Sequence, residues 1–457
     1  MSEPNTTTPA AATAPAPAAA APKPPVKAPV ENPAYRMLGL PKLPKKLPSR
    51  NWMIFWTLTG TITTAIIYDK REKNRATAKW RRAVAPLAEE PMPSATHLPR
   101  KLTIYLESPP GDGLRIAQDH FIEYVKPVLS ASGLDWEFVQ GRQQGDVRAA
   151  VAEKIRMTRR ETERPDEELP QTDDTLLAKM RKRMNVPEYE GAKGDIVIGR
   201  HTWKEYMRGL HEGWLGPLDS PAPPVVEDKP APTETASADV TTTDGEVPEE
   251  KKEEPKKETK PTRPPQPIPY NKPEDYQSAV LPAQIPAEFS PSTQIPFPHR
   301  LGFRHTFVRL GWFFNRRKLA DDIGREVAAV CFAAARDYRT ADGQYEQQLV
   351  LQREESDWPK SVWKDEVPEK DEDGNDKPLP PKEKIWISPI VTDDRLMQRM
   401  RKFEITPEDE AKAAKIKVPE EEIEGWIKGS LRGVWRWGAA SWASKPRGPN
   451  VGNLDDE

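Results

Sequence analysis

The sequence predicts an α/β protein with a single N-terminal transmembrane helix followed by an α/β domain that carries a long disordered insertion. Three observations predict it. An uncharged stretch, Asn51 to Tyr68 (NWMIFWTLTGTITTAIIY), stands in a chain that is 31% charged. From residue 98 onward, short apolar runs alternate with segments of helical periodicity, the texture of an open, largely parallel sheet. A stretch of Pro, Glu, Lys and Thr, with the run EEKKEEPKKETK, interrupts that alternation and has too few apolar side chains to build a core. The 457 residues leave room for two or three domains, but 51 prolines, 36% hydrophobic content and a negative mean hydropathy make the globular part smaller than the length suggests.

Residues 1–32 are mostly Ala, Pro and Thr and read as a disordered tail. No Lys or Arg precedes Lys23 and the prolines forbid a continuous amphipathic helix, which speaks against a secretory signal and an ordinary cleavable mitochondrial presequence. Residues 33–50 form a basic juxtamembrane arm. Its YRMLGLPKLPKKLPSR segment has no acidic residue and suits anionic lipid or a partner.

Residues 51–68 are expected to cross a membrane as a helix. At about 1.5 Å per residue the stretch reaches ~27 Å, close to the ~30 Å hydrocarbon core of a bilayer. Trp52, Trp56 and Tyr68, with Arg50 and Lys70 outside them, are the expected membrane-interface anchors. Thr57, Gly60, Thr61 and Thr64 recur at three and four residues and give a small-residue face for a transmembrane partner. Five threonines make the stretch only moderately hydrophobic, and a buried core helix is the competing reading. The fifteen residues before it carry five basic groups and the fifteen after it seven, with two acids, too small a bias to fix topology. Residues 69–97 are a charged helical connector whose helix is expected to stop at Pro86.

Residues 98–218 read as an α/β half. LTIYLE (102–107), DWEFVQ (135–140) and DIVIG (195–199) are strands; 114–131, 146 to about 160 and 202–210 are helices. In such sheets, phosphates bind at the loops after the strands. Two loops qualify: Ser108-Pro109-Pro110-Gly111-Asp112-Gly113, and Gly199 to Glu205 (GRHTWKE). A glycine loop alone is a weak signal, and a plain tight turn is the competing reading of the first.

These loops resemble the nucleotide-binding half of the diacylglycerol and sphingosine lipid kinases, whose first loop is similar to N-P-x-x-G and whose third strand runs into G-G-D-G-T-x-x-E. Pro109 and Gly111 match the first; Gly199, Thr202 and Glu205 match the second. Where that motif has glycine, aspartate and glycine, this chain has Ile198, Arg200 and His201. These block close backbone approach and remove a carboxylate needed near phosphate and magnesium. The resemblance thus implies a degenerate, pseudokinase-like fold whose loop, Gly199, Arg200, His201, Thr202 and Glu205, has lost the kinase chemistry. Arg200 is either an anion holder or an ion-paired arginine.

Residues 219–293 are expected to be a disordered linker and 294–420 a second α/β half. There, 319–338 reads as an amphipathic helix, 344–352 and 384–391 as strands, and 393–403 as a short helix. Phe303, Phe307, Trp312, Phe313 and Phe314, interleaved with Arg304, Arg309, Arg316, Arg317 and Lys318, make the densest basic-aromatic patch, fitting core packing, lipid headgroups or a protein partner. Residues 421–445 are an amphipathic Trp-rich helix and 446–457 a tail.

No constellation supports catalysis. There is no HExxH, GxSxG, intact P-loop or metal spacing, and the single cysteine, Cys331, excludes an internal disulfide or CxxC motif and reads as a small packed residue. Net charge of −2 gives no global pointer to nucleic acid. No cofactor is expected.

Taken whole, the arm NPAYRMLGLPKLPKKLPSRNW with the uncharged stretch, then HRLGFRHTFVRLGWFFNRRKLADDIGREVAAV and IWISPIVTDDRLMQRMRKF, resemble the fungal mitochondrial inner-membrane carrier-translocase subunits of about fifty-four kilodaltons. The resemblance implies a single-pass protein with its amino terminus in the matrix and its domain in the intermembrane space. It also implies a non-catalytic scaffold and docking role in inserting multispanning carriers. The implied partners are the translocase channel, other inner-membrane translocase subunits, soluble intermembrane-space chaperones and membrane lipids. The alternative is a membrane-anchored lipid kinase of the diacylglycerol kinase type.

Overall fold

A computed structural model of the chain describes residues 49–91, 98–167, 172–186, 189, 191, 193–221, 266–341, 343–364, 382–424 and 426–442. The expected Ala/Pro-rich tail, all but the last two residues of the basic arm, the EEKKEEPKKETK run and the C-terminal tail lie outside the described residues. The chain divides into two units, Met1–Ile62 and Thr63–Glu457.

In the first unit the described residues, 49–62, belong almost entirely to the start of α1 (Arg50–Ala88). Here the sequence expectation is corrected: no helix among the described residues is long and apolar enough to cross a membrane. α1 has the length, at 39 residues, but not the apolarity. Five threonines dilute the stretch from 51 to 68, and Asp69, Lys70, Arg71, Glu72 and Lys73 follow at once. The hydroxyls of Thr57, Thr59 and Thr61 turn back onto the carbonyls of Ile54, Phe55 and Thr57 at 2.9, 2.6 and 3.0 Å, satisfying themselves locally. The competing reading, a buried core helix, also fails, since every residue from 51 to 68 is exposed. The roles expected of the anchors and of the small-residue face depend on that span.

The second unit continues from α1 to β1 (Lys101–Glu107), then α2 (Leu114–His120), which passes through a π turn (Phe121–Val125) into α3 (Lys126–Ser132). β2 (Asp135–Gly141), α4 (Asp146–Glu163), α5 (Asp173–Arg183), β3 (Asp195–Ile198) and α6 (Arg200–Leu215) follow. Beyond residue 265 come β4 (Ser292–Ile295), α7 (Thr306–Phe313), α8 (Arg316–Cys331), β5 (Ala335–Asp337), and the hairpin β6 (Thr340–Ala341) and β7 (Gln344–Tyr345). The described chain closes with α9 (Glu346–Leu349), α10 (Asp394–Met397), β8 (Arg401–Phe403), α11 (Pro407–Lys415), α12 (Glu420–Ile423) and α13 (Trp426–Trp442).

Six strands make one sheet in the order β2-β1-β3-β4-β8-β5. β1 pairs in parallel with β2 and β3, β3 with β4 and β4 with β8; only β5 runs antiparallel, against β8. The halves on either side of the charged insertion therefore share one sheet. Period-two alternation sorts its side chains onto two covered faces. Leu102, Ile104, Leu106, Ile196 and Ile198 meet Trp80 of α1, Val128 and Leu129 of α3 and Ile323 and Val327 of α8. Tyr105 and Val197 meet Val147 and Val151 of α4 and Trp203, Met207 and Leu210 of α6. On that second face α4 and α6 touch at backbone distance, because a Cβ on Gly209 would stand 2.6 Å from the Arg148 carbonyl oxygen. Cys331 is buried, and burial pushes its thiol up to about 11.

Further expectations are corrected. α1 runs through Pro86 to Ala88. α8 ends at Cys331 and the chain turns into β5 through Ala333, at φ 57°. Residues 344–352 form a two-residue strand and one helical turn, since the Trp203 indole takes the Gln347 carbonyl (2.8 Å) and Arg336 and Lys402 hold the Glu346 carboxylate (2.8 and 3.1 Å). No strand forms over 384–391: Lys204 Nζ donates to the carbonyls of Trp386 and Ser388 at 2.6 and 3.1 Å, and the Gln144 carboxamide oxygen, turned toward them, accepts from the N–H groups of Ile385 and Trp386. With side chains satisfying its backbone, the segment needs no neighbouring strand. Residues 393–403 split into α10 and β8. From residue 266 the supposed linker is packed: Arg148, Arg208 and Arg395 donate to the carbonyls of Pro267, Asn271 and Tyr276, and Tyr276 is buried.

Candidate functional site

In a sheet ordered this way the connections leaving β1 and β3 diverge, and the crevice at their carboxyl ends is where open α/β folds bind ligands. Three strand-to-helix junctions surround it. After β1, the Ser108 hydroxyl donates to the Asp112 carbonyl (2.6 Å), His299 lies 3.0 Å from the Asp112 carboxylate, and Gly111, at φ 90°, sits against Leu301 and Pro359. The loop is closed by its own hydroxyl and covered by the second half of the chain.

After β2, the N–H groups at the start of α4 point at a carboxylate that the chain itself supplies. Gly145 and Arg148 donate their N–H groups to Glu205 at 2.6 and 3.2 Å, and the Trp386 indole donates to the same group at 3.1 Å. Glu107, the last residue of β1, is fully buried beside Glu205. Burial and then the Glu205 charge push its carboxyl well above the ordinary range, and Glu205 is raised as well, chiefly by burial. The two carboxyls, buried side by side, thus disfavour ionisation of Glu107.

After β3, Gly199 at φ 86° turns the chain straight into α6, a conformation glycine adopts without strain; a Cβ there would meet His201 at 2.7 Å. The N–H of Arg200 donates to Glu354 at 2.8 Å, and the N–H of Phe297 donates to the other oxygen of that carboxylate at 2.6 Å. Glu354 thus occupies the anion position at the start of α6. Burial, opposed by these N–H groups, leaves it titrating at about 7. The Arg200 guanidinium reaches Glu355 (2.8 Å) and the carbonyls of Gln348 and Val350 (2.9 and 2.6 Å). His201, against the Glu107 carbonyl at 3.2 Å, is driven down to about 4 by burial and is neutral at physiological pH. Thr202 is buried, and its hydroxyl has no hydrogen-bond partner among the described residues.

The structure therefore gathers Gly199, Arg200, His201, Thr202 and Glu205 into one buried cluster, in which Gly199, Arg200, His201 and Glu205 bind the chain itself. The pseudokinase-like reading of the fold is not supported: an open α/β sheet is common to many unrelated proteins, and the loop that carries the resemblance is filled by Glu354, Trp386 and Phe297. The other expected site residues belong to α1. Trp52 and Trp56 stack with centroids 6.3 Å apart, Thr57, Gly60, Thr61 and Thr64 are exposed, as are Arg50 and Lys70, and the Arg317 guanidinium covers the Tyr68 ring at 5.1 Å. Sequence reasoning missed Glu107, Glu354 and Trp386. A carboxylate ending the apolar run LTIYLE was a signal for the first; nothing local marked the others.

The protonated Glu107 sets a pH dependence. Its folded value lies above the unfolded one, so its contribution is complete below about pH 4.5 and is lost as pH rises toward the folded value. Glu107→Gln keeps the shape without the proton. The stability of this variant relative to the native chain should rise as pH rises above about 4.5, by up to about 1.4 kcal/mol per unit, measurable as urea midpoints. A constant difference would show that Glu107 ionises in the fold.

The family profile described as inner membrane protein import complex subunit Tim54 matches residues 32–403. The chain is 56% identical over 422 residues to the mitochondrial import inner membrane translocase subunit tim54 of Neurospora crassa, covering 89% of this chain and 88% of that one. To the proteins of the same name from Aspergillus oryzae and Schizosaccharomyces pombe it is 41% and 29% identical, covering 92% and 81% of this chain and 99% and 97% of those. The profile spans both halves of the sheet, and the chain belongs to the Tim54 family of inner membrane protein import complex subunits.

Proposed function

We propose that this chain is a non-catalytic scaffold and docking subunit of the mitochondrial inner-membrane translocase that inserts multispanning carrier proteins. As a member of its family it works in protein import at that membrane. The observation that carries the non-catalytic part is the occupancy of the switch-point crevice. Glu205 and Glu354 sit on the helix N-termini where a phosphate would bind, Arg200 and Lys204 are spent on Glu355, and the second half of the chain covers the loops. A nucleotide would have to displace the buried Glu205 and the half-buried Glu354. The proposed partners are the channel, the other translocase subunits and soluble chaperones of the intermembrane space, where we place the folded unit by the resemblance of its arm and GWFFNRR segment.

Affinity purification of the tagged chain from detergent-solubilised mitochondria should recover the translocase, and its depletion should slow carrier insertion. A carboxyl-terminal tag should become protease-sensitive only after the outer membrane is ruptured. The rival, a lipid kinase, predicts that the purified chain phosphorylates diacylglycerol with ATP and loses this with Thr202→Ala; such a result would overturn the scaffold reading.

A further inference from the structure

This inference rests on the inner-membrane location and names a surface that meets the membrane. Residues 300–318 contain no acidic residue. Within them α7 buries no residue, and Phe303 and Phe307 are 92% and 84% exposed. Core packing, one of the sequence readings of this segment, is thereby excluded for these two rings. Two fully wetted phenylalanines on successive turns hold unfavourable apolar surface that a partner would remove from water. Between and beside them, Arg304 and Arg309 are exposed and make no ion pair among the described residues. The contrast with α13 is informative: there Arg432 and Arg436 are held by Glu424 and Glu421. The patch also has a fixed place. Arg317, just past α7, donates its N–H to Asp69 and stacks on Tyr68, beside Ile66 and Ile67, which are exposed.

We propose that the turn Phe303–His305 and α7 dock on an anionic phospholipid surface. The rings of Phe303 and Phe307 enter the acyl boundary while Arg304 and Arg309 lie on phosphates. A lipid surface offers both halves of the required complement at once: negative charge at the headgroups and apolar volume directly beneath. A protein partner would have to present acidic groups around an apolar socket; that is the outcome the test must separate.

The test places an environment-sensitive fluorophore on Phe307→Cys in the full chain; Cys331 is buried and stays unlabelled. On vesicles of phosphatidylcholine with phosphatidylglycerol the emission should shift to the blue, and on phosphatidylcholine alone it should not. Arg304→Gln with Arg309→Gln should weaken vesicle affinity about thirtyfold, roughly fivefold per basic side chain, and added salt should act in the same direction. Phe303→Ser should also weaken binding with an unchanged melting temperature, since that ring packs on nothing buried. A label that stays unshifted while the chain sediments with anionic vesicles would place the membrane contact elsewhere and overturn the proposal. So would a shift produced by purified translocase subunits but not by lipid. Failure of the translocase reading would appear instead in the purification from mitochondria, which does not involve this label.

Discussion

Glu212→Ala is expected to destabilise the folded unit by about 3–5 kcal/mol, the usual cost of stranding a buried charge. The Glu212 carboxylate lies between Arg148 and Arg156, all three side chains at most 3% exposed. It also accepts the N–H of Tyr270 at 3.2 Å, and the Arg156 guanidinium lies 3.6 Å from the centre of the Tyr270 ring. Removing the acid leaves two guanidinium groups buried where α4 meets α6, Arg156 with the partly exposed Glu153 alone and Arg148 with Glu383 at 3.8 Å. Two readouts check it. Thermal unfolding should fall by about 10 °C, at roughly 2–4 °C per kcal/mol for a unit of this size, and the segment from residue 266 onward should become protease-sensitive before the rest. Glu212→Gln, which keeps a hydrogen-bond acceptor, should cost less. A loss below about 1 kcal/mol in the alanine variant, the range of exposed pairs, would mean that water reaches the cluster.

Trp80→Ala should cost about 3–5 kcal/mol, as for other large aromatics removed from a core. Trp80 is 2% exposed and fills the space over Gly324 of α8, where any side chain would overlap its ring. Its indole N–H donates to Asp321 at 2.7 Å, and Lys79 lies over the ring at 4.5 Å while pairing with the same aspartate. The consequence is mechanical as well as energetic, because this contact fixes the charged part of α1 to the sheet's helical layer. Unfolding by urea gives the loss, and hydrogen exchange over residues 69–88 should rise more than over α4 and α6. Equal rises in both places would show that the contact is part of the global fold and not a separate clasp. Gly324→Ala probes the same interface from the other side and should also destabilise, by overpacking.

Strands β1, β2 and β3 and the helices between them are legible because each buries a face within its own segment, and burial leaves a period in the local sequence. The same rule explains the failures. Residues 344–352 and 384–391 have the apolar content of strands, but their backbone groups are taken by Trp203, Lys204 and Gln144, side chains more than a hundred residues away. Residues 266–291 look like linker because their own composition is Pro-rich; three arginines from α4, α6 and α10 hold them. The stretch from 51 to 68 lacks charge, the local mark of a membrane span, yet its threonines keep it short of the apolarity that crossing requires.

The candidate site divides in the same way. Gly199, Thr202 and Glu205 are visible because a glycine after a buried strand announces a turn into a helix. That Glu205 caps a different helix, and that Glu354 caps this one, is invisible in the chain order: the two carboxylates and the N–H groups they accept from are 57 to 154 residues apart.

By itself, then, the sequence determined the α/β alternation, the Gly199 turn and the family, all carried by short contiguous runs. Only the tertiary structure decided that both halves share one sheet, that the crevice is filled from within, and that Phe303 and Phe307 face outward. Those outcomes depend on which distant groups satisfy a buried polar atom or cover an apolar one, and a linear pattern records that a face must be covered without recording by what.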